Sequence, residues 1–465
     1  MAGTLVCVIT VEMLKERIDE AFAQVRTDLE NLVRIPSVSS PAFAQKHVRA
    51  SAEYTAELLR GVGMDSVEIL SAPDESGKEG APAVVAHKHG KEGAPRVLLY
   101  AHHDVQPPGE TAQWDQDDPF EPVTRGDRMF GRGTGDDKAG IVAHVGALRL
   151  LGDDLGVNVT CFFEGEEEIG SPSFENFLMT YRDKLEADVI IVLDSANWQV
   201  GTPALTTSLR GLVDVGVEVR TGNYAVHSGM FGGPYLDAVT CMSRLIATLH
   251  DDAGDVAVEG LVTAPASELD YPEDAWRADA GVVDGYQLAG TGSIPTRLWS
   301  KPAISVIGMD VTSIEMKSNT ITPSCSAALS MRIVPGQDPR EAAEALKAHL
   351  EKHAPFGANV IVTINELGQP FDAGDDTEIM RKARWAMSQA WENDAVNIGM
   401  GGSIPFISVL AKVFPEAAIL ITGIEDPDTR AHGANESVHL GELRGATLTG
   451  AILLAVLAGD IEAEI

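Results

Sequence analysis

The stretch Arg96-Val97-Leu98-Leu99-Tyr100-Ala101-His102-His103-Asp104-Val105 decides how this chain is read. Its first half is apolar on both faces, as expected of a strand covered by helices on each side, and its second half turns abruptly to histidine and acid. Two more apolar runs end the same way. Val157-Asn158-Val159-Thr160-Cys161-Phe162-Phe163 leads into Glu164-Gly165-Glu166-Glu167-Glu168-Ile169-Gly170-Ser171, and Val189-Ile190-Ile191-Val192-Leu193 leads into Asp194. Helical spacing of apolar residues over 12–34, 43–62 and 137–152 alternates with these runs. The pattern predicts an α/β fold with a mostly parallel sheet and helices on both faces. In such sheets functional groups gather just beyond the carboxyl ends of the strands, where Asp104, Glu167, Glu168 and Asp194 fall.

Further along the chain the pattern changes. Strands over 212–220, 303–311, 325–333 and 359–366, with helices over 234–250 and 338–353, give the order β-α-β-β-α-β of a ferredoxin-like α+β domain. The Asp-, Gly-, Pro- and Ala-rich stretch 251–302 reads as an irregular excursion with some helix. Helices over 376–391, 404–412 and 440–458 and a strand over 418–422 then restore the first pattern. The small domain therefore interrupts the large one, with expected bounds of 12–208 and 371–465 for the two parts of the catalytic domain and 209–370 for the insertion.

Composition limits the partners. With 35 basic against 69 acidic residues the net charge is -34, which repels nucleic acid and anionic membrane, so neither is expected as a partner. Cys7, Cys161, Cys241 and Cys325 are scattered with no Cys-x-x-Cys spacing, which points to a reducing cytoplasm rather than a disulfide framework. The apolar start, Met1 to Thr10, is short and lacks a basic region, so neither a signal peptide nor a membrane span is expected. Met13 opens a clean helical pattern and is an alternative start.

Each chemical candidate has a bland reading beside the functional one. His102 and Asp104 are two apart on a strand and so face the same way, allowing a metal on one ring nitrogen and a carboxylate on the other, although a single His-x-Asp is more often an ordinary satisfied histidine. His103 faces the other side. Asp136, after the turn Gly131-Arg132-Gly133-Thr134-Gly135, suits a helix N-cap but could also bridge two metals. Glutamates 166 to 168 could be solvated charge, yet at the end of a central strand their mutual repulsion needs a reason, such as metal ligation by one and proton handling by its neighbour. Asp194 and His432 are unremarkable alone and gain weight from sharing one predicted sheet edge. Asp136, Glu168 and Asp194 with two divalent ions and one hydroxide sum to zero charge, so the cluster can be partly buried. Oxygen and imidazole donors without thiolate favour zinc, with manganese or cobalt compatible, over calcium or an iron–sulfur cluster.

Three further candidates lie elsewhere. Gly401-Gly402-Ser403-Ile404-Pro405 opens a helix and presents backbone N–H groups that can hold an anion. Arg332 alternates within its strand and can form a surface ion pair or clamp a carboxylate. His227 sits in a Gly-rich loop of the small domain, where solvent exposure is the plain expectation.

At these residues the sequence resembles the M20 family of metallopeptidases, in its cytosolic dipeptidase and carnosinase-like branch, over nearly the whole chain. The family's Gly-His-x-Asp-Val is Ala101-His102-His103-Asp104-Val105 here, with Ala for Gly. Its Gly-Arg-Gly-x-x-Asp-x-Lys-Gly spans Gly131 to Gly140 with Ala139 inserted, and its Glu-Glu-x-Gly-Ser is Glu167 to Ser171. The resemblance implies two divalent metals, with Asp136 bridging, His102 and Asp194 on one ion, and Glu168 and His432 on the other. It also implies Glu167 as general base, Asp104 as the orienting residue, and a homodimer in which His227 reaches the partner's site to hold the scissile carbonyl oxygen. Arg332 and the Gly401-Gly402-Ser403 turn would take the substrate's terminal carboxylate. The expected activity is hydrolysis of dipeptides or short peptides with a free C-terminal carboxylate. The alternative is an N-acyl-amino-acid deacylase of the acetylornithine deacetylase or succinyl-diaminopimelate desuccinylase type. An inactive metal-binding scaffold is a remote third reading, since it has no need of Glu167.

Overall fold

The computed structural model describes residues 9–402 and 404–465. Its backbone forms two compact units: residues up to 207 with 373–398 and 409–465, and residues 208–372 with 399–408.

The first unit is built on a large sheet. Four central strands run parallel, in the order Asn158–Glu164, Arg96–His102, Val189–Leu193 and Ala418–Thr422. These are the strands legible in the sequence, because burial on both faces makes them apolar without interruption. The parallel character is confined to this centre. Ala83–Lys88 joins the Asn158 strand antiparallel, Ser66–Leu70 joins Ala83–Lys88 antiparallel, and Ala204–Leu209 lies antiparallel beside Ala418–Thr422.

Successive side chains of one strand serve opposite layers. Phe162 stacks on Phe177 at 5.0 Å between ring centroids, while the next residue, Phe163, stacks on His144 at 6.0 Å. The second layer is the thicker: Lys138–Leu151 packs against Val11–Val33 and Leu440–Leu457. Close helix approach explains Gly146, where a Cβ would stand 2.6 Å from Thr447 Cγ2 and 3.1 Å from Val25 Cγ2. Among the described residues only Leu440–Leu457 is long and apolar enough to cross a membrane, and here it is a mostly buried core helix. Val11–Val33 is capped by Thr10, whose hydroxyl accepts from the Met13 N–H, and Ile9 and Val11 are buried, so residues ahead of Met13 belong to the fold.

The second unit is a four-stranded antiparallel sheet in the order Ala303–Asp310, Ser324–Ile333, Gly211–Arg220, Asn359–Gly368. Helices Ala238–Ala247 and Pro339–Lys352 cover one face, giving the expected β-α-β-β-α-β arrangement. The period of two is clean: Val213, Val215, Val217 and Val219 are buried against Leu245, Leu346 and Leu350, and the residues between them are not. The excursion holds only the short helices Glu273–Asp279 and Ile294–Trp299. Residues 399–408, which the sequence reading left with the second part of the catalytic domain, cluster with this unit instead. The Arg210 N–H donates to Met400 O at 3.1 Å, and its Nε donates to Gly401 O at 3.2 Å.

Candidate metal centre

The carboxyl ends of the central strands deliver five donors of the first unit to one place. His102 is the last residue of its strand, Asp194 follows Leu193, and Glu168 lies in the 3-10 turn Glu167–Ile169 just beyond Glu164. Asp136 comes from the turn ahead of helix Lys138–Leu151, and His432 from the loop after Ala418–Thr422.

Two groups of donors lie close enough to share an ion, His102 with Asp137 and Asp194, and Asp136 with Glu168 and His432, and Asp136 also approaches the first group through His102. His102 Nε2 lies 3.0 Å from Asp136 Oδ1 and 3.9 Å from Asp194 Oδ1. His432 Nε2 lies 2.9 Å from the other oxygen, Asp136 Oδ2, and 3.2 Å from Glu168 Oε2. Donors held tetrahedrally about 2.0–2.1 Å from a zinc ion stand roughly 3.3 Å apart, so each set fits one small divalent ion with nitrogen and oxygen donors. Asp136 turns Oδ1 toward His102 and Oδ2 toward His432.

The surrounding residues aim these donors. His102 Nδ1 lies 3.1 Å from Asp104 O and 3.4 Å from Asp104 Oδ1, so the backbone and carboxylate of Asp104 together leave Nε2 as the donor to a metal. The same carboxylate accepts from the N–H groups of Glu167 at 3.2 Å and Glu168 at 3.1 Å, tying the strand end to the acidic turn. Glu168 is held in turn by Gln106, whose N–H donates at 2.9 Å and side-chain amide at 2.8 Å.

Four residues show roles that sequence reasoning missed. Asp137, read as a first-turn helix residue, is the N-cap of Lys138–Leu151 in place of Asp136. It accepts from Gly140 N–H and His102 N–H, both at 3.2 Å, and its carboxylate stands within the His102 and Asp194 set. Glu166 is structural: its oxygens accept from Ala81 N–H at 2.8 Å and from Ser173 N–H at 2.8 Å. Arg132 and Glu436 form a fully buried pair at 2.5 Å. Glu436 also accepts from the N–H groups of Gly133, Gly135 and Asp136, and Arg132 donates to His432 O at 3.0 Å and Gly433 O at 3.1 Å. This pair holds the turn of Asp136 against the loop of His432, whose own φ of 63° is left-handed and needs such support. Arg132 stands in the quoted Gly131–Gly140 motif, but only its joint burial with Glu436 reveals the connection. The strand Ser437–His439, paired with Arg128–Phe130, fixes the same two loops and is too short to read from a pattern.

Without metal the cluster is proton-rich. Hydrogen bonds to Asp136 and then Glu168, against burial, raise His432 to about 10. Burial would depress His102, but its bonds to Asp104 and Asp136 outweigh this and raise it well above the ordinary histidine value. Burial would raise Asp136, but the same bonds to His102 and His432 hold it below the ordinary carboxylate range. Burial, reinforced by Glu168, Asp136 and Asp104 and opposed by His102, lifts Glu167 to about 7. A divalent ion nearby would act in the opposite direction on Glu167. Since His432 is protonated at neutral pH, metal entry must displace its proton. Metal affinity is therefore expected to rise with pH through the neutral range, and calorimetry in buffers of different ionisation enthalpy should register net proton release. Uptake of metal with no proton release would contradict this geometry.

In the second unit, His227 is exposed, and its Nδ1 accepts from Gly229 N–H at 3.1 Å, which places the ring proton on Nε2 as an outward donor. Arg332 is half-buried on strand Ser324–Ile333, opposite Leu212. Gly401 and Gly402 precede helix Pro405–Val413, while Ser403 lies outside the described residues.

Residues 98–455 match the profile of Peptidase family M20/M25/M40. The chain belongs to this family. Among its M20 relatives, a cysteinylglycine-S-conjugate dipeptidase from Corynebacterium striatum is 33% identical over 90% of this chain and 91% of its own length. A Beta-Ala-His dipeptidase from Rattus norvegicus is 27% identical over 96% of this chain and 95% of its own. The solved structures of human carnosine dipeptidase 1 and of the di-peptidase Dug1p from Saccharomyces cerevisiae each superpose with a TM-score of 0.77, at 22% and 21% identity. Each covers 97% of this chain and 99% of the solved chain, so the M20 fold is shared end to end.

Proposed function

We propose that this M20 peptidase is a two-metal dipeptidase that cleaves the amide bond of dipeptides or short peptides bearing a free C-terminal carboxylate. The observation that carries this reading is Asp136, whose two oxygens face His102 and His432 of two separate His-plus-carboxylate sets, beside the half-buried Glu167. His102 and Asp194 would hold one ion, Glu168 and His432 the other, with zinc favoured and manganese or cobalt compatible. When bound, the ions supply positive charge that polarises the scissile carbonyl and acidifies the attacking water. Glu167 takes the proton of that water and passes it to the leaving amine. Asp104 keeps His102 and the Glu167–Glu168 turn in register for both steps. Arg332 and the Gly401-Gly402-Ser403 turn take the terminal carboxylate, and Nε2 of His227 donates to the developing oxyanion. The relatives named as dipeptidases favour this reading over the deacylase alternative. Rates on a free dipeptide, its N-acetyl form and its C-terminal amide decide it. The free dipeptide should be the best of the three, and a preference for the N-acetyl form would replace this reading with the deacylase.

The active unit is proposed to be a homodimer in a reducing cytoplasm. Among the described residues strand Ala303–Asp310 is paired on one side only, it exposes Val306 and Ile307, and Ile314 and Met316 just beyond it are 83% and 75% exposed. An unprotected apolar edge of this kind calls for a covering strand, which a second copy supplies. Cys161, Cys241 and Cys325 are free and buried, which suits a reducing compartment. If His227 serves the partner's site, His227→Ala should lower kcat about 100-fold with metal content intact. Reassociation with Glu167→Gln chains should then restore activity, because some mixed dimers carry one complete site. Mixed dimers no better than either parent would show that each chain builds its site alone.

A further inference from the structure

One exposed turn of the second unit carries a polar donor and an apolar patch together. Val226–His227 pairs with Thr320–Ile321, and the Ser228 N–H donates to Asn319 O at 2.9 Å, which fixes where the turn begins. The helical turn Ser228–Phe231 follows at once, capped by the His227 ring, and it closes where Gly232 N–H donates to Ser228 O at 2.8 Å. Glycine suits that closure, since a Cβ at 232 would stand 2.4 Å from the same carbonyl oxygen. Residues three and four apart on a helical turn share a face, with Cβ atoms about 5–6 Å apart. Met230 and Phe231 therefore lie on the side of His227, and they are 75% and 51% exposed. Large apolar side chains held outward beside one another mark a surface that binds something.

The neighbouring histidine says what that is. Its Nε2 is the outward donor proposed to hold the scissile carbonyl oxygen in the partner's site, over about 2.9 Å. The carbon of that carbonyl is bonded directly to the α-carbon bearing the side chain of the substrate's N-terminal residue. A turn that brings His227 to the oxygen thus brings Met230 and Phe231 within side-chain reach of that group. A flexible thioether beside a flat ring can pack against an apolar side chain of varied shape, and neither offers a partner to a charged one.

We infer that Met230 and Phe231 are specificity residues that one chain supplies to its partner's site, selecting dipeptides whose N-terminal residue carries a large apolar side chain. The inference rests on the proposed dimeric dipeptidase reading and gives that site a substrate class.

The test compares kcat/KM for leucylglycine and glycylglycine. Wild-type enzyme should prefer leucylglycine, and Met230→Ser/Phe231→Ser should lower the leucyl-to-glycyl ratio about 10- to 100-fold, the usual worth of contacts in an apolar pocket. Met230→Leu/Phe231→Leu should keep most of the preference, because it keeps the apolar surface. Supply by the partner is read by reassociating the serine variant with an excess of Glu167→Gln chains. Each mixed dimer then joins an intact base on the serine variant to the unaltered turn of the Glu167→Gln chain, so the leucylglycine preference should return. Mixed dimers that keep the ratio of the serine variant would overturn the inference. So would a wild-type enzyme indifferent to the two substrates, or a serine variant that loses both equally or falls to monomers in sedimentation, since the two side chains would then serve only contact between copies. In any of these cases, activity restored by mixing His227→Ala with Glu167→Gln chains leaves the dimeric dipeptidase reading standing. A wild-type enzyme that cleaves neither dipeptide would instead remove that reading itself.

Discussion

Glu167→Gln is expected to retain both metal ions and lose about 10²- to 10⁴-fold in kcat, the usual effect of removing a general acid–base group. The amide matches the carboxylate in shape, and the backbone N–H of residue 167 can still donate to Asp104, so the turn that carries Glu168 should stay in place. What disappears is a group that can receive a proton and return it. Burial lifts Glu167 to about 7 in the metal-free cluster, and bound cations draw it down, leaving it ionised at neutral pH and ready to accept. Metal content by elemental analysis together with kcat checks the expectation. A variant with two metals and wild-type turnover would remove Glu167 from proton transfer.

Arg132→Met should have the largest effect on stability. Arg132 and Glu436 are 1% and 0% exposed in their side chains, and among the described residues Glu436 has no other cation at bonding distance. Deleting one partner of a buried pair strands the other charge, at a cost of about 3–5 kcal/mol. The loss should reach the metal centre as well, because Arg132 donates to the carbonyls of His432 and Gly433 while Glu436 holds the N–H of Asp136. Thermal unfolding and metal stoichiometry, measured on the same preparation, should both fall. The double variant Arg132→Met/Glu436→Gln should regain part of the stability, since it removes the uncompensated charge. A single variant as stable and as metal-replete as the parent would show that the pair is not what joins the two loops.

What the sequence made legible follows from how strongly each feature constrains the residues. The central strands, the helices packed on them and the small β-α-β-β-α-β unit all bury one face or two, so periodicity alone places them within a few residues. Of the five candidate donors, His102, Asp136, Glu168 and Asp194 were legible because each follows a strand or turn whose end was readable, whereas His432, in a loop, gained weight only from sharing the predicted sheet edge. The antiparallel flanks, such as Ser66–Leu70, and the three-residue strands around Arg128 and Ser437 were not, since short half-buried segments leave little period to detect. Asp137 was misassigned because adjacent aspartates before a helix are equally good caps by composition, and only the hydrogen bond to Gly140 separates them. Arg132 with Glu436, and Arg210 with Gly401, depend on partners some two to three hundred residues apart in sequence, which no local pattern reports.

The central claim is that two divalent ions, bridged by Asp136, are required for hydrolysis of a free dipeptide. Its most direct test strips the protein with a chelator and titrates zinc, manganese or cobalt back while following both bound metal and turnover. The account predicts no activity without metal, full activity at two ions per chain, and an Asp136→Ala variant that binds neither ion tightly and stays inactive throughout. Turnover that survives complete metal removal, or an Asp136→Ala variant that still binds two ions and cleaves the dipeptide, would contradict it.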